Sequence, residues 1–100
     1  MKILIPVNTD DRYLCLISSI EENSSWALVS LNKGKISKVQ FYNRKEDIPY
    51  DIDFLVVINE LEFVWPLLED GIEVYIARKE KSIDEIIEAF LLNKLVPFSS

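Results

Sequence analysis

The sequence predicts an α/β domain built on a mixed, five-stranded sheet. Two runs carry that expectation, Met1–Val7 and Ile52–Ile58, each apolar almost without interruption, as strands covered on both faces are. From the second run onward strand and helix patterns alternate, the order of a parallel crossover sheet. Between the two runs lie two further strand-type segments joined by a tight turn, which add antiparallel pairing.

Each element follows from local chemistry. In Met1–Val7 the proline at position 6 fits a strand terminus better than a strand middle, because it has no N–H to donate. Asn8, Thr9, Asp10 and Asp11 form a polar turn. Arg12–Ile20 reads either as a strand or as a collapsed apolar loop. Ser24–Leu31 and Ile36–Tyr42 form a hairpin, with Gly34 supplying positive φ to a bulged turn over Asn32–Lys35. Asn43–Asp51, with Pro49 and many charges, is a connection before the strand Ile52–Ile58. Asn59 is placed to cap a helix towards Asp70, with Leu61, Val64, Trp65 and Leu68 on one side and Gly71 as its stop. Pro66 interrupts that pattern and predicts a kink, or a helix that starts near it. Ile72–Ala77 alternates as a half-covered strand. Ser82-Ile83-Asp84-Glu85 is a capping box, and Ile83, Ile86, Ile87, Phe90 and Leu91 recur at helical spacing to about Asn93 or Lys94. The expected organisation is one domain over 1–95 and a tail over 96–100, whose Phe98 docks on the domain or on a partner.

Composition narrows the chemistry. In 100 residues, 49% of them hydrophobic, one core and no second domain are expected. There is no His, so no imidazole serves as base or ligand, and the single Cys provides no intrachain disulfide. Two separated glycines make neither a Walker loop nor a GxGxxG turn. The formal charge of −6 is uneven: residues 1–45 hold 7 Lys/Arg and 4 Asp/Glu, a net +3, and residues 46–100 hold 4 and 13, a net −9. The basic residues Lys33, Lys35, Lys38, Arg44 and Lys45 read as the solvated side of a hairpin, and no nucleic-acid partner is expected. No stretch reaches the ~18 apolar residues of a membrane span, and the first residues are too short an apolar run for a signal peptide. A cytoplasmic protein without membrane contact is expected.

Three segments, Met1-Lys2-Ile3-Leu4-Ile5-Pro6-Val7-Asn8, Gly71-Ile72-Glu73-Val74-Tyr75 and Ser82–Lys94 (SIDEIIEAFLLNK), resemble the small nitrogenase iron–molybdenum cofactor-binding and biosynthesis accessory proteins. The family's second strand and turn fall on Trp26–Lys35 without a gap. The resemblance implies a ribonuclease H-like sheet, with three parallel strands plus an antiparallel hairpin and two or three helices. It also implies a non-catalytic accessory protein that binds or carries an iron–sulfur or iron–molybdenum type cluster.

The departures lie where the family holds its cluster. The His of its Ser-x-His-Phe-Gly motif falls on Ser19, with Ile20 and Glu21 in place of Phe and Gly. Its Gly-rich turn falls on Val57, Ile58, Asn59 and Glu60, and a carboxylate there opposes an anionic cluster. The helix between its third and fourth strands is shortened to Asn43–Asp51. The cofactor-binding candidates are accordingly Asn8, Asp10, Asp11, Ser19, Asn59 and Glu60, beyond the ends of adjacent strands, and their hard oxygens also suit a divalent cation such as Mg²⁺. Cys15 is the metal-ligand candidate, although its aliphatic neighbours favour a core residue. Metal-assisted nuclease chemistry is disfavoured, because the first strand carries no carboxylate. Trp65, Phe63 and Tyr75 line either a contact surface or the core. Two functions from different classes remain: cluster carriage, and a divergent domain that binds no cluster and serves protein interaction or dimerisation. Both imply a protein partner, a second copy included.

Overall fold

The computed structural model describes residues 1–98 and shows a mixed sheet of six strands with two α-helices. The strands are β1 (Lys2–Val7), β2 (Ser25–Asn32), β3 (Lys35–Tyr42), β4 (Phe54–Val57), β5 (Glu73–Ile76) and β6 (Val96–Pro97), in the spatial order β3-β2-β1-β4-β5-β6. β1, β4 and β5 are parallel, and the other pairings are antiparallel. The expected count of five is corrected by one. Val96 and Pro97, read as tail, pair with Ile76 and Tyr75. Such a strand leaves no alternating pattern to read, and an edge position tolerates a proline that cannot donate. Phe98 donates its backbone N–H to the Val74 carbonyl at 2.9 Å and docks on this domain. Residues 99–100 lie outside the described part.

β1 is the centre of the sheet, and every residue from Ile3 to Val7 is buried. Its alternation divides the interior in two. Ile3, Ile5 and Val7, with Val29 of β2 and Val56 of β4, pack beneath Ile83, Ile86 and Ile87 of α2 (Ile83–Leu91). Leu4, Leu28, Leu55, Val57 and Val74 pack against Val64 and Leu67 at α1 (Trp65–Glu69). The result is three layers, helix, sheet and helix, and fully burying each of these aliphatic side chains contributes about 1.5–3 kcal/mol.

The capping box forms as the sequence implies: Ser82 Oγ accepts from the Glu85 N–H at 3.2 Å, and Glu85 Oε1 accepts from the Ser82 N–H at 3.0 Å. α2 ends at Leu91, with Asn93 in the left-handed region at φ 57°. α1 is shorter than its pattern suggested. It starts at Trp65, with Pro66 in its first turn, and Asn59 caps a separate turn by accepting the Leu61 N–H at 2.9 Å. That start sets the phase of the helix, so Leu67 takes the buried place while Leu61 and Trp65 face solvent. Gly71, at φ 81°, ends α1 as expected; its N–H goes to the Leu68 carbonyl and that of Ile72 to the Leu67 carbonyl. In the hairpin both Lys33 and Gly34 have positive φ, 54° and 75°, a two-residue turn. The bulge expected in the turn lies instead in the ladder, where Ser30 pairs with Lys38 and Leu31 with Ile36.

Arg12–Ile20 is the collapsed apolar loop, touching β1 through one bridge, Val7 to Ile17. Asp11 Oδ1 accepts the Tyr13 and Leu14 N–H groups, which turns the chain over. Arg12 then clamps it to α2, with Nη2 to Asp84 Oδ1 at 2.9 Å and Nη1 to Oδ2 at 3.2 Å. This paired hydrogen bond holds the Asp84 carboxyl below its ordinary range. A carboxylate lowered by folding contributes stability above its unfolded pKa, which is lost as the pH falls through the folded value. Arg12→Ala is expected to cost a few tenths to about 1 kcal/mol at neutral pH, and to lose less additional stability than the parent as the pH falls below about 4. Ser82→Ala is expected to cost about 1 kcal/mol at neutral pH. Urea melts across pH check both.

Candidate functional site

The chain leaves β1 towards β2 on one side and leaves β4 towards β5 on the other. The topological switch point therefore lies beyond Val7 and Val57, where open α/β sheets form their ligand crevice. Three loops meet at this end of the sheet, numbered 8–24, 58–64 and 77–82.

Backbone geometry determines what fills the crevice. Along a strand in a ladder, alternate residues direct their N–H and C=O to opposite sides. The Val7 carbonyl accepts from the Ser24 N–H at 3.0 Å, on the β2 side, so the Pro6 carbonyl and the Asn8 N–H point towards β4. The β1–β4 ladder registers only Ile3 with Phe54 and Leu4 with Leu55, and Pro6 has no N–H with which to extend it. The chain supplies its own substitute. Ser18 donates its N–H to the Pro6 carbonyl at 2.9 Å, and Asn8 donates to the Leu16 carbonyl at 3.0 Å. The segment 16–20 thus lies along the β4 side of the end of β1. It is tied to the β5–α2 loop by the Ile17 N–H on the Lys81 carbonyl at 2.8 Å, and to the β4–α1 loop by the Ile20 N–H on Glu62 Oε2 at 2.6 Å. The switch point is closed by the protein's own backbone.

The residues singled out in the sequence stand around this plug, and most are engaged in shaping it. Asn8 Oδ1 accepts the Leu16 N–H at 2.9 Å, Asp11 caps the turn before Cys15, and Ser19 Oγ accepts the Glu22 N–H at 3.2 Å. Asn59 caps the turn at Leu61. Glu60 faces Arg78, with both carboxylate oxygens 3.4 Å from Nη1. Its own backbone N–H, and then Arg78, hold the Glu60 carboxyl below the ordinary range. Asp10 is exposed on the 8–24 loop. Among the described residues, no three His, Cys, Asp or Glu side chains converge in a way that would hold a metal ion.

Cys15 is 1% exposed and packs with Ile17, Ala77 and Ile86 under α2. Burial pushes its thiol pKa up, against a smaller opposing effect of Arg12. A thiolate is the form that attacks or ligates, and this environment disfavours it.

The same loops present apolar side chains to solvent. Leu61 is 89% exposed, Phe63 72% and Trp65 58%. Phe63, Trp65, Leu68 and Phe98 line an apolar cleft of about 270 Å³ on the α1 side. Tyr75, considered with them in the sequence, instead joins Phe54 and Phe90 in an aromatic cluster under α2, with ring centroids 4.9–5.9 Å apart. Sequence reasoning missed Arg12, Glu62 and Arg78, whose partners lie 18 to 72 residues away with no local pattern to mark them. Among the described residues no helix is long and apolar enough to cross a membrane.

No family model matches the sequence, and no curated protein does. Solved structures do match. The crystal structure of a provisionally assigned dinitrogenase from Methanocaldococcus jannaschii superposes with a TM-score of 0.74 at 19% identity, covering 100% of this chain and 96% of that one. The solution structure of the M. jannaschii protein gives a TM-score of 0.75 at 18% identity, with 100% and 94% covered. A provisionally assigned NifB protein from Thermotoga, of the DUF35 family, gives 0.72 at 15% identity, with 99% and 97% covered. At such identities the likeness is one of fold, and this chain shares that fold over essentially its whole length.

Proposed function

We propose that this domain is a non-catalytic protein-docking module on a ribonuclease H-like frame, working in the cytoplasm, with its docking surface on the apolar cleft beside the closed switch point. The strand order β3-β2-β1-β4-β5 supports the frame, with β6 as an extension. The observation that carries the function is the set of large apolar side chains left in solvent, Leu61, Phe63 and Trp65, beside a crevice filled by residues 16–20. Burying such groups is favourable only when something covers them, and contiguous exposed apolar surface marks interaction sites.

Cluster carriage is the second reading, favoured by the fold shared with proteins named for nitrogenase and NifB. The residues present fit an anionic cluster poorly. Asn8, Asp11, Ser19 and Asn59 spend their side-chain oxygens on backbone donors, Glu60 adds negative charge, and the one thiol is turned into an aliphatic core.

Phe63→Ser and Trp65→Ser are expected to change stability by no more than about 0.5 kcal/mol, because both side chains are exposed. A photoreactive residue at position 61 is expected to crosslink a protein in cells, and the two serine substitutions to abolish that product. A product that survives both substitutions would sink the docking reading. Anaerobic reconstitution with an iron–sulfur cluster and gel filtration tests the alternative: stoichiometric retained iron, lost on substitution of Asp10 and Asn59, would establish carriage in its place. Cys15→Ser is expected to leave metal uptake unchanged. In the native chain Cys15 is expected to react with a thiol reagent only as fast as the loop opens, and much faster in urea.

A further inference from the structure

The outer strand of the hairpin offers a second surface, independent of the switch point. β3 pairs with β2 on one side, and its other edge is open along eight residues. α2 covers β1 and β2 completely on its side of the sheet, where Ile3, Ile5, Ala27 and Val29 are all fully buried, but it stops short of β3. Ile36, Val39 and Phe41, in register with Leu31, Val29 and Ala27, are left half-buried. Between this row and the outer side of α2 runs an open groove of about 870 Å³, walled by Ile87, Glu88, Leu91 and Leu92 on the helix side, bordered by Lys35 and Lys38 along the strand, and bounded also by Arg12 and Asp84.

The opposite row of β3 has a different character. Lys35 and Lys38 are in register with Asn32 and Ser30, on the other face of the strand, and both are exposed. Lys33 in the turn continues the positive charge, on a protein whose net charge is −6, whereas Arg44 beyond the strand pairs with Glu46 at 3.9 Å. This edge opposes pairing with its own copy in a register that sets Lys38 opposite Lys38. It attracts a strand with carboxylates on one face.

We propose that the free edge of β3 takes up an extended segment of a partner protein as an added strand, one in which apolar residues alternate with Asp or Glu. Period-two alternation sends the apolar side chains to the α2 side, into the groove beside Ile36, Val39 and Leu91, and the carboxylates to the row of Lys35 and Lys38. Main-chain pairing with the edge supplies the affinity, and the lysine row selects the charge.

The test titrates the intact, ¹⁵N-labelled chain with a synthetic peptide of alternating Val and Glu, as long as β3, and with its Val and Lys counterpart. The Glu peptide is expected to shift amides of Ile36–Tyr42 and Glu88–Leu92, more weakly as salt is added. Lys35→Glu with Lys38→Glu is expected to weaken that binding about tenfold or more, and to admit the Lys peptide. These substitutions lie on exposed positions, and an unchanged amide spectrum outside β3 establishes that the variant is folded. The proposal is overturned by shifts away from β3, by no shifts at all, by a double variant that binds the Glu peptide equally well, or by sedimentation showing the unliganded chain to dimerise through β3.

Discussion

A central strand buried on both faces has to place every backbone N–H and C=O in a hydrogen bond, and in β1 that requirement meets a proline. Up to Leu4 the parallel neighbour β4 takes the groups on its side. At Pro6 no N–H exists to continue the ladder, yet a buried carbonyl remains that costs about 1–3 kcal/mol if left without a donor. Ser18 provides the donor. Once it does, residues 16–20 have to lie along β1. Cys15 and Ile17 are then drawn into the core beneath α2, and Ile20 is brought against the β4–α1 loop.

The loop is held at points far apart in sequence. Arg12 reaches Asp84, Ile17 reaches Lys81 and Ile20 reaches Glu62, so the loops after β1, β4 and β5 form one hydrogen-bonded unit. None of the side chains expected around a ligand is idle within it, apart from Asp10, for which no comparable role is evident. Short polar side chains favour turns because their oxygens satisfy backbone N–H groups two or three residues on, and Asp11, Ser19 and Asn59 do this here. The polar composition that suggests a binding loop is thus equally the composition of a well-made turn.

How much of this was legible in the sequence depended on the range of the interaction. The continuous apolar runs of β1 and β4, the Lys33-Gly34 turn, the Ser82 capping box and the Gly71 stop are local patterns, and each was found within a residue or two of its place. For α1 two signals competed: the apolar spacing from Asn59 placed Leu61 and Trp65 inward, whereas Pro66 predicted a start near itself, which is where the helix begins, with Leu67 on the buried side. β6 was invisible because two residues carry no period. The plug could not be foreseen at all. It follows from a missing N–H at Pro6 and a donor twelve residues later, and nothing in the intervening pattern links the two.

The two tryptophans are divided between the regimes of this fold. Trp26 is 7% exposed, in the ladder opposite Pro6, whereas Trp65 stands in solvent at the start of α1. An indole in an apolar interior emits at shorter wavelength than one in water, so the protein contains two optical probes separable by colour. The blue component reports on the integrity of the sheet and the red component on the occupancy of the cleft, without any label being introduced.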